Sequence, residues 1–140
     1  MNYILDTNVI SELVAADPSA KVLNWVDNLD PHSVYLSVIT IGELQKGIEK
    51  LRESKRKKDL VSWLQNDLLV RFKDHVLFLD TSVLLRWGTL VADLERKGRP
   101  LPAIDSLLAA TAAETGFTLV TRNMSHFEHT GISVIDPWQL

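Results

Sequence analysis

Cysteine is absent from the 140-residue sequence, which excludes disulfide bonds, thiolate catalysis and zinc sites built from cysteine. No apolar run approaches the roughly 20 residues that cross a bilayer, and no basic segment followed by an apolar one opens the chain. The six glycines form no phosphate-cradling loop, and no serine stands in a recognisable Ser-His-Asp context. We expect a cytoplasmic protein without membrane contact, in keeping with the missing cysteine.

The chain also lacks an excess of positive charge: its net charge is −3 and its sequence pI is about 5.8. A general nucleic-acid-binding domain is usually basic overall, so this class is disfavoured. The basic residues are unevenly spread, however, and one short stretch holds Lys46, Lys50, Arg52, Lys55, Arg56, Lys57 and Lys58. Two interpretations stay open: a solvated helix face, or a local patch that attracts phosphates.

The hydrophobic fraction of 46% and the charged fraction of 24% are ordinary for a globular chain, and the length predicts one domain spanning residues 1–140. Short apolar runs predict strands at residues 3–5, 34–38, 76–79, 118–120 and 133–135. Between them, helical spacing predicts helices at about 9–15, 20–29, 41–51, 57–72, 83–98 and 104–114. Helical crossovers between strands indicate an α/β fold of three α/β/α layers around a central, mainly parallel sheet of about five strands.

Oxygen-bearing side chains lie at or shortly beyond the ends of the predicted strands. Asp6 directly follows the first strand, and Glu43 lies in the helix after the second. Asp105 lies in the first turn of the helix that leads into the fourth strand, and Asn123 follows that strand. Ligands of such sheets bind beyond the carboxyl ends of the strands. The topology therefore predicts that Asp6, Glu43 and Asp105 converge, with Asn123 as a neutral fourth oxygen donor.

Each of these residues also has a purely structural interpretation. The run from Thr40 to Glu43 fits a capping box, in which Glu43 would bond back to the Thr40 amide. Asp105 could cap the helix that follows it, which is worth about 1 kcal/mol. Asp6 could cap the first helix, and Asn123 suits a turn. No single residue decides between capping and a shared site, so the hypothesis depends on all four reaching one edge.

Three neighbouring carboxylates repel one another, so at least one pKa should rise unless a cation neutralises them. Oxygen ligands suit hard cations such as Mg²⁺ or Mn²⁺, which can activate water and stabilise charge on a phosphodiester. At about 100° per residue, Lys46 and Lys50 share the polar face of their helix with Glu43 and could receive phosphates. Surface pairing of Glu43 with Lys46 is the alternative.

Other chemistries find less support in the sequence. His126 and His129 are a metal-ligand pair by spacing, but no third ligand is evident. Asp80 follows the third strand, as the phosphorylated aspartate of a receiver domain does, and is one alternative. The phosphatases of the HAD type need a D-x-D pair, which the Asp6-Thr7-Asn8 run lacks. A non-enzymatic module that only binds RNA or a protein partner is the remaining alternative.

Four segments resemble one known family, and together they cover nearly the whole chain. The segments are "YILDTNVISEL", "TIGELQKGIEKL", "LPAIDSLLAATAAETGFTLVTRN" and "GISVIDPW". They resemble PIN-domain ribonucleases, and among these the VapC toxins of the FitB-like, plasmid-stability branch. The resemblance implies an endoribonuclease that depends on Mg²⁺ or Mn²⁺ and cleaves transfer or ribosomal RNA. It also implies a homodimer and a hetero-oligomer with a small DNA-binding, VapB-like antitoxin.

The resemblance also implies roles for individual residues. Asp6, Glu43 and Asp105 match the three acids that hold the metal, and Glu43 either binds it or orients the attacking water. Asn123 matches a fourth position that is Asp or Asn. The expected supporting residues are Thr7, Asn8 and Thr121, and the expected phosphate contacts are Lys46, Lys50 and Arg122. Where many relatives have an acid, this chain has His126, so we expect a second metal to bind weakly and catalysis to use one.

Overall fold

The computed structural model describes residues 1–140, and a five-stranded parallel sheet forms its centre. The strands are β1 (Tyr3–Leu5), β2 (Val34–Ser37), β3 (Val76–Leu77), β4 (Thr118–Val120) and β5 (Val134–Ile135). Their order is β3-β2-β1-β4-β5, and every neighbouring pair is parallel. The chain therefore builds outward from β1 on one side and then crosses to β4 on the other, so the topological switch point lies between β1 and β4.

Seven α-helices cover the two faces of this sheet and confirm the predicted three-layer α/β fold. They are α1 (Thr7–Leu13), α2 (Ala20–Asp27), α3 (Val38–Glu49), α4 (Lys55–Ser62), α5 (Leu69–Arg71), α6 (Thr81–Arg96) and α7 (Ala103–Thr115). The single helix predicted at 57–72 is α4 and α5 joined by a π-helical segment, Trp63–Leu68. Short 3₁₀ segments occur at Pro31–Ser33 and Met124–Phe127. None of the helices combines the length and apolar character needed to span a bilayer.

Two apolar layers sandwich the sheet because successive strand residues point to opposite faces. In β1, Leu5 packs in a core with α1, α2, α3 and the 64–72 segment, while Ile4 faces the other way. Ile4 packs with Leu119 of β4, the alanines of α7 and Phe127. All three of Ile4, Leu5 and Leu119 are fully buried. The central strands are thus continuous apolar runs that leave only their carboxyl ends for polar chemistry.

The helix starts remove two of the capping interpretations. Helix α3 begins at Val38 because the Ser37 hydroxyl caps it, accepting the Ile39 N–H at 3.1 Å. Glu43 therefore lies inside the helix, and the predicted capping box is wrong. Helix α7 has Pro102 at its N-cap, so Asp105 lies in the first turn and is not the cap. The predicted first-turn position of Asp105 is confirmed, whereas α3 begins at Val38 and not at about residue 41 as predicted.

Replacing Phe127 with alanine is expected to lower the free energy of unfolding by about 3–5 kcal/mol, because a buried ring is lost and a cavity remains. The ring is 2% exposed and closes the core on the α7 side of the sheet. Phe78→Ala is the matched control: this ring is 70% exposed, so we expect a change within about 0.5 kcal/mol. Urea denaturation followed by circular dichroism measures both. Equal losses would contradict the assigned packing of Phe127.

Candidate metal centre

Asp6 lies at the switch point, where β1 ends and α1 begins. Its backbone N–H still belongs to the sheet, donating to the Val120 carbonyl at 2.9 Å. Its side chain is the N-cap of α1, since Oδ1 accepts the Thr7 N–H at 2.7 Å. The other oxygen, Oδ2, accepts the Thr121 hydroxyl at 2.9 Å across the switch point. The predicted capping role is thus correct, and the same carboxylate also joins the end of β4.

Thr121 is held so that its only hydroxyl proton goes to Asp6. The oxygen of the Thr121 hydroxyl accepts the Asn8 side-chain amide at 3.1 Å and the Asn123 backbone N–H at 3.1 Å. A hydroxyl has two acceptor positions and one donor, so both acceptor positions are used. The Asn8 side-chain oxygen also accepts the Arg122 backbone N–H at 3.1 Å. Asn8 and Thr121 therefore hold the turn after β4 against α1, as expected for supporting residues.

The environment of Asp6 disfavours its charged form. Burial is the main cause that raises its pKa above the ordinary value, and the carboxylates of Asp105 and Glu43 raise the pKa further. The hydrogen bonds from Thr121 and Thr7 act in the opposite direction. The two other predicted acids are therefore near enough to repel Asp6. A bound divalent cation would remove both the repulsion and the cost of burying the charge.

Glu43 reaches the site from α3 and is held by a threonine of α1. The Thr7 hydroxyl donates to Glu43 Oε1 at 2.5 Å, and the Thr40 hydroxyl lies 3.3 Å from the Thr7 hydroxyl. Glu43 also lines an open cleft of about 480 Å³ with Lys46 and Lys50, bordered by Ile104 of α7. No ion pair joins Glu43 to Lys46, so the surface-pairing alternative is not formed. The two lysines remain available along the cleft.

Asp105 approaches from the first turn of α7. The Trp87 indole N–H of α6 donates to the Ser106 hydroxyl at 2.8 Å, and that hydroxyl donates to the Ala103 carbonyl at 2.8 Å. These contacts fix the turn that carries Asp105. Its carboxylate contacts His126, with Nδ1 3.0 Å from Oδ2. The sequence indicated His126 as half of a possible histidine metal pair and as the position of a missing acid, and nothing in its spacing shows that it faces Asp105.

The three acids share one edge of the sheet but do not meet at one point. No group of three or more histidine, aspartate or glutamate side chains lies close enough to hold a metal as the side chains stand. Each carboxylate has a different side-chain partner: the Thr121 hydroxyl for Asp6, the Thr7 hydroxyl for Glu43 and the His126 imidazole for Asp105. Their all-oxygen chemistry and mutual repulsion fit a hard divalent cation. Side-chain rotations would be needed to gather the three carboxylates around it.

The remaining predicted residues fall into two groups. Asn123 contributes through its backbone, since its N–H donates to Thr121 and its carbonyl accepts the His126 N–H; a role for its side chain stays a prediction. The guanidinium of Arg122 stacks on the Trp138 ring at 4.8 Å, and His129 lies nearest to Glu128, at 3.8 Å. Neither contacts the three acids.

The geometry does not favour Asp80 as a phosphorylated aspartate of the receiver type. Asp80 caps α6, accepting the Val83 N–H at 2.9 Å. It follows β3, which is the edge strand of the sheet. The residue at the switch point is Asp6, and ligands of open α/β sheets bind there.

Comparison with known proteins agrees with this geometry. The family model described as "PIN domain" matches residues 3–132. The plasmid stability protein StbB of Pseudomonas syringae pv. tomato is 38% identical, covering 97% of this chain and 98% of that protein. The VapC ribonuclease Y4jK of Sinorhizobium fredii is 36% identical, covering 97% of both. The crystal structure of FitAcB from Neisseria gonorrhoeae superposes with a TM-score of 0.94 at 34% identity, covering 99% of each chain.

The raised pKa of Asp6 makes the stability of the metal-free protein depend on pH. The folded chain keeps the Asp6 proton at pH values where the unfolded chain has released it, so stability falls as pH rises from about 4. Asn at position 6 does not titrate. We therefore consider the free energy of unfolding of the wild type minus that of Asp6→Asn, because this subtraction cancels the titration of the other groups. The difference should decrease from pH 4 toward pH 7. Urea titrations in chelator measure this difference in unfolding free energy. A difference that grows with pH would contradict a raised pKa of Asp6.

Proposed function

Because the chain belongs to the PIN-domain family, we propose that residues 1–140 form one PIN domain that acts as a metal-dependent endoribonuclease, the toxin of a type II toxin–antitoxin pair. The observation that carries the activity is the Asp6 carboxylate at the switch point, whose charge is destabilised mainly by burial and further by Asp105 and Glu43. A charge buried at such a cost is typical of a functional site. Relatives named as ribonucleases support the same activity, among them the tRNA(fMet)-specific endonuclease VapC of Salmonella typhimurium, which is 29% identical.

Asp6 and Asp105 would hold a Mg²⁺ or Mn²⁺ ion, with Glu43 as a third ligand or as the base that orients the attacking water. When bound, the ion supplies charge neutralisation at the phosphodiester and lowers the pKa of water. Glu43 receives the Thr7 hydroxyl on Oε1, which leaves Oε2 to accept the proton of the water. Asn123 would hold a further water through its side-chain amide. In-line attack would give a 5′-phosphate and a 3′-hydroxyl.

Lys46 and Lys50 are proposed to bind the phosphates that flank the cleaved bond, because they line the cleft that contains Glu43. A lysine ammonium beside each flanking phosphate would offset the repulsion between RNA and an acidic pocket. Arg122 is proposed as a third phosphate contact at the other side of the site, and its stack on Trp138 keeps the guanidinium ordered. The substrate is proposed to be structured RNA, transfer or ribosomal, within the cytoplasm.

We expect Asp6→Asn to lower RNA cleavage by more than about 100-fold, since even residues that only contact metal ligands change metal affinity by about 10–100-fold. Asp80→Asn is a matched control, because Asp80 also follows a strand and caps a helix but lies off the switch point. Cleavage of total RNA in Mn²⁺, in Mg²⁺ and in chelator measures both variants. Wild-type cleavage by Asp6→Asn, or in chelator, would leave a domain that binds RNA or a partner as the better assignment.

A small DNA-binding antitoxin is proposed as the partner, and the toxin itself as a homodimer. Solved relatives include DNA-bound VapBC from Salmonella typhimurium, with a TM-score of 0.80 at 28% identity, covering 98% of each chain. Induction of this chain should arrest growth, and co-expression of a neighbouring reading frame for a small DNA-binding protein should restore it. Growth inhibition that Asp6→Asn retains would separate toxicity from nuclease activity. Mapping of new 5′ ends in cellular RNA would identify the target.

A further inference from the structure

Asp105 contacts His126, a residue outside the set of three acids. His126 lies in the 3₁₀ segment Met124–Phe127, directly before the buried Phe127. Its backbone N–H donates to the Asn123 carbonyl at 3.0 Å. The histidine is therefore placed by a fixed backbone, anchored on one side in the core and on the other at the end of β4. Its imidazole, 48% exposed, lies across the Asp105 carboxylate, which is 19% exposed.

The Asp105 side chain depends on this imidazole for its orientation. The backbone of its turn is fixed through Ser106 and Trp87, but the only hydrogen bond of the carboxylate is the one to His126. An ionised carboxylate can only accept hydrogen bonds. In the tautomer protonated at Nδ1, the imidazole donates to Oδ2 across this 3.0 Å contact. The second oxygen, Oδ1, has no protein partner and is left for a cation.

We propose that His126 is a positioning residue of the metal centre, whose Nδ1–H holds Asp105 in the orientation that binds the ion. The proposal depends on the metal site proposed above. Ligating carboxylates are commonly fixed by such outer hydrogen bonds. His126 takes the position where the resemblance expects an acid, so it replaces a possible further ligand with a donor to an existing one. This chain would thereby bind one ion with an oriented Asp105 in place of two ions with more negative charge.

The test is the affinity for Mn²⁺ alone, measured by isothermal titration calorimetry on the full chain and by the rise of the unfolding temperature with MnCl₂. His126→Ala should raise the dissociation constant for Mn²⁺ by about 10-fold or more. His126→Asn should restore most of the affinity, because its side-chain N–H₂ group occupies nearly the place of Nδ1. Rescue by a donor of matching position separates positioning from a merely structural role.

His129→Ala is the matched control. His129 lies three residues further along the chain, just beyond the 3₁₀ segment, and is similarly exposed at 45%; its one carboxylate neighbour within 4 Å is that of Glu128, at 3.8 Å. We expect this variant to bind Mn²⁺ like the wild type. The unfolding temperature of each variant in chelator reports whether it is folded. If His126→Ala does not fold, His126→Leu against His126→Asn gives the same comparison of a side chain without and with a donor.

The outcomes separate this inference from the proposed function. A wild type that binds no Mn²⁺ overturns the metal site and the inference with it. A wild type that binds Mn²⁺, with unchanged affinity in His126→Ala, overturns the inference and leaves the site intact. Tighter binding by His126→Ala would also overturn it, because the imidazole would then compete with the ion for Asp105. Loss in His126→Ala with recovery in His126→Asn supports it.

Discussion

The hydrogen bond from the Thr121 hydroxyl to the buried Asp6 carboxylate is the interaction on which the site depends. It joins the ends of β1 and β4 across the switch point of the sheet. Asn8 and Asn123 occupy the acceptor positions of the same hydroxyl, so its proton has one destination. The strands of the core, apolar on both faces, can place this polar group only at their carboxyl ends. This hydrogen bond therefore belongs both to the fold and to the candidate site.

The hydrogen bonds of Asp6 stabilise the backbone around it, whereas its surroundings destabilise its negative charge. Asp6 caps α1 and ties it to β4, but burial and the neighbouring acids oppose its ionisation. Proteins accept such conflicts chiefly at functional sites, where a ligand relieves them. The same conflict explains why Thr7 and His126 each donate to a different acid. Each carboxylate is hydrogen-bonded by its own side-chain partner, Thr121, Thr7 or His126.

The chain belongs to a family of toxins and ribonucleases by similarity along nearly its whole length, yet its site carries less negative charge than the resemblance implies. His126 stands where the resemblance implies an acid, and Asn123 fills, with a neutral side chain, a position where the resemblance implies Asp or Asn. In the proposed metal site, the affinity for a cation would therefore come from Asp6, Glu43 and Asp105, and the orientation of each carboxylate would matter more. The two lysines of α3 line the cleft beside Glu43, and they are proposed to attract the RNA phosphates that the net charge of −3 would otherwise repel.

The sequence by itself determined the fold class: apolar runs, helical periodicity and the polar residues at strand ends predicted a parallel α/β sheet with Asp6, Glu43 and Asp105 toward one edge. Those features are local, and period and polarity encode them. Helix starts were less well predicted, because the hydroxyl of Ser37 and the backbone at Pro102 compete with other caps. The contact of His126 with Asp105 came only from tertiary structure. The two residues lie 21 positions apart, and burial of Phe127 against α7, which no local pattern reports, brings them together.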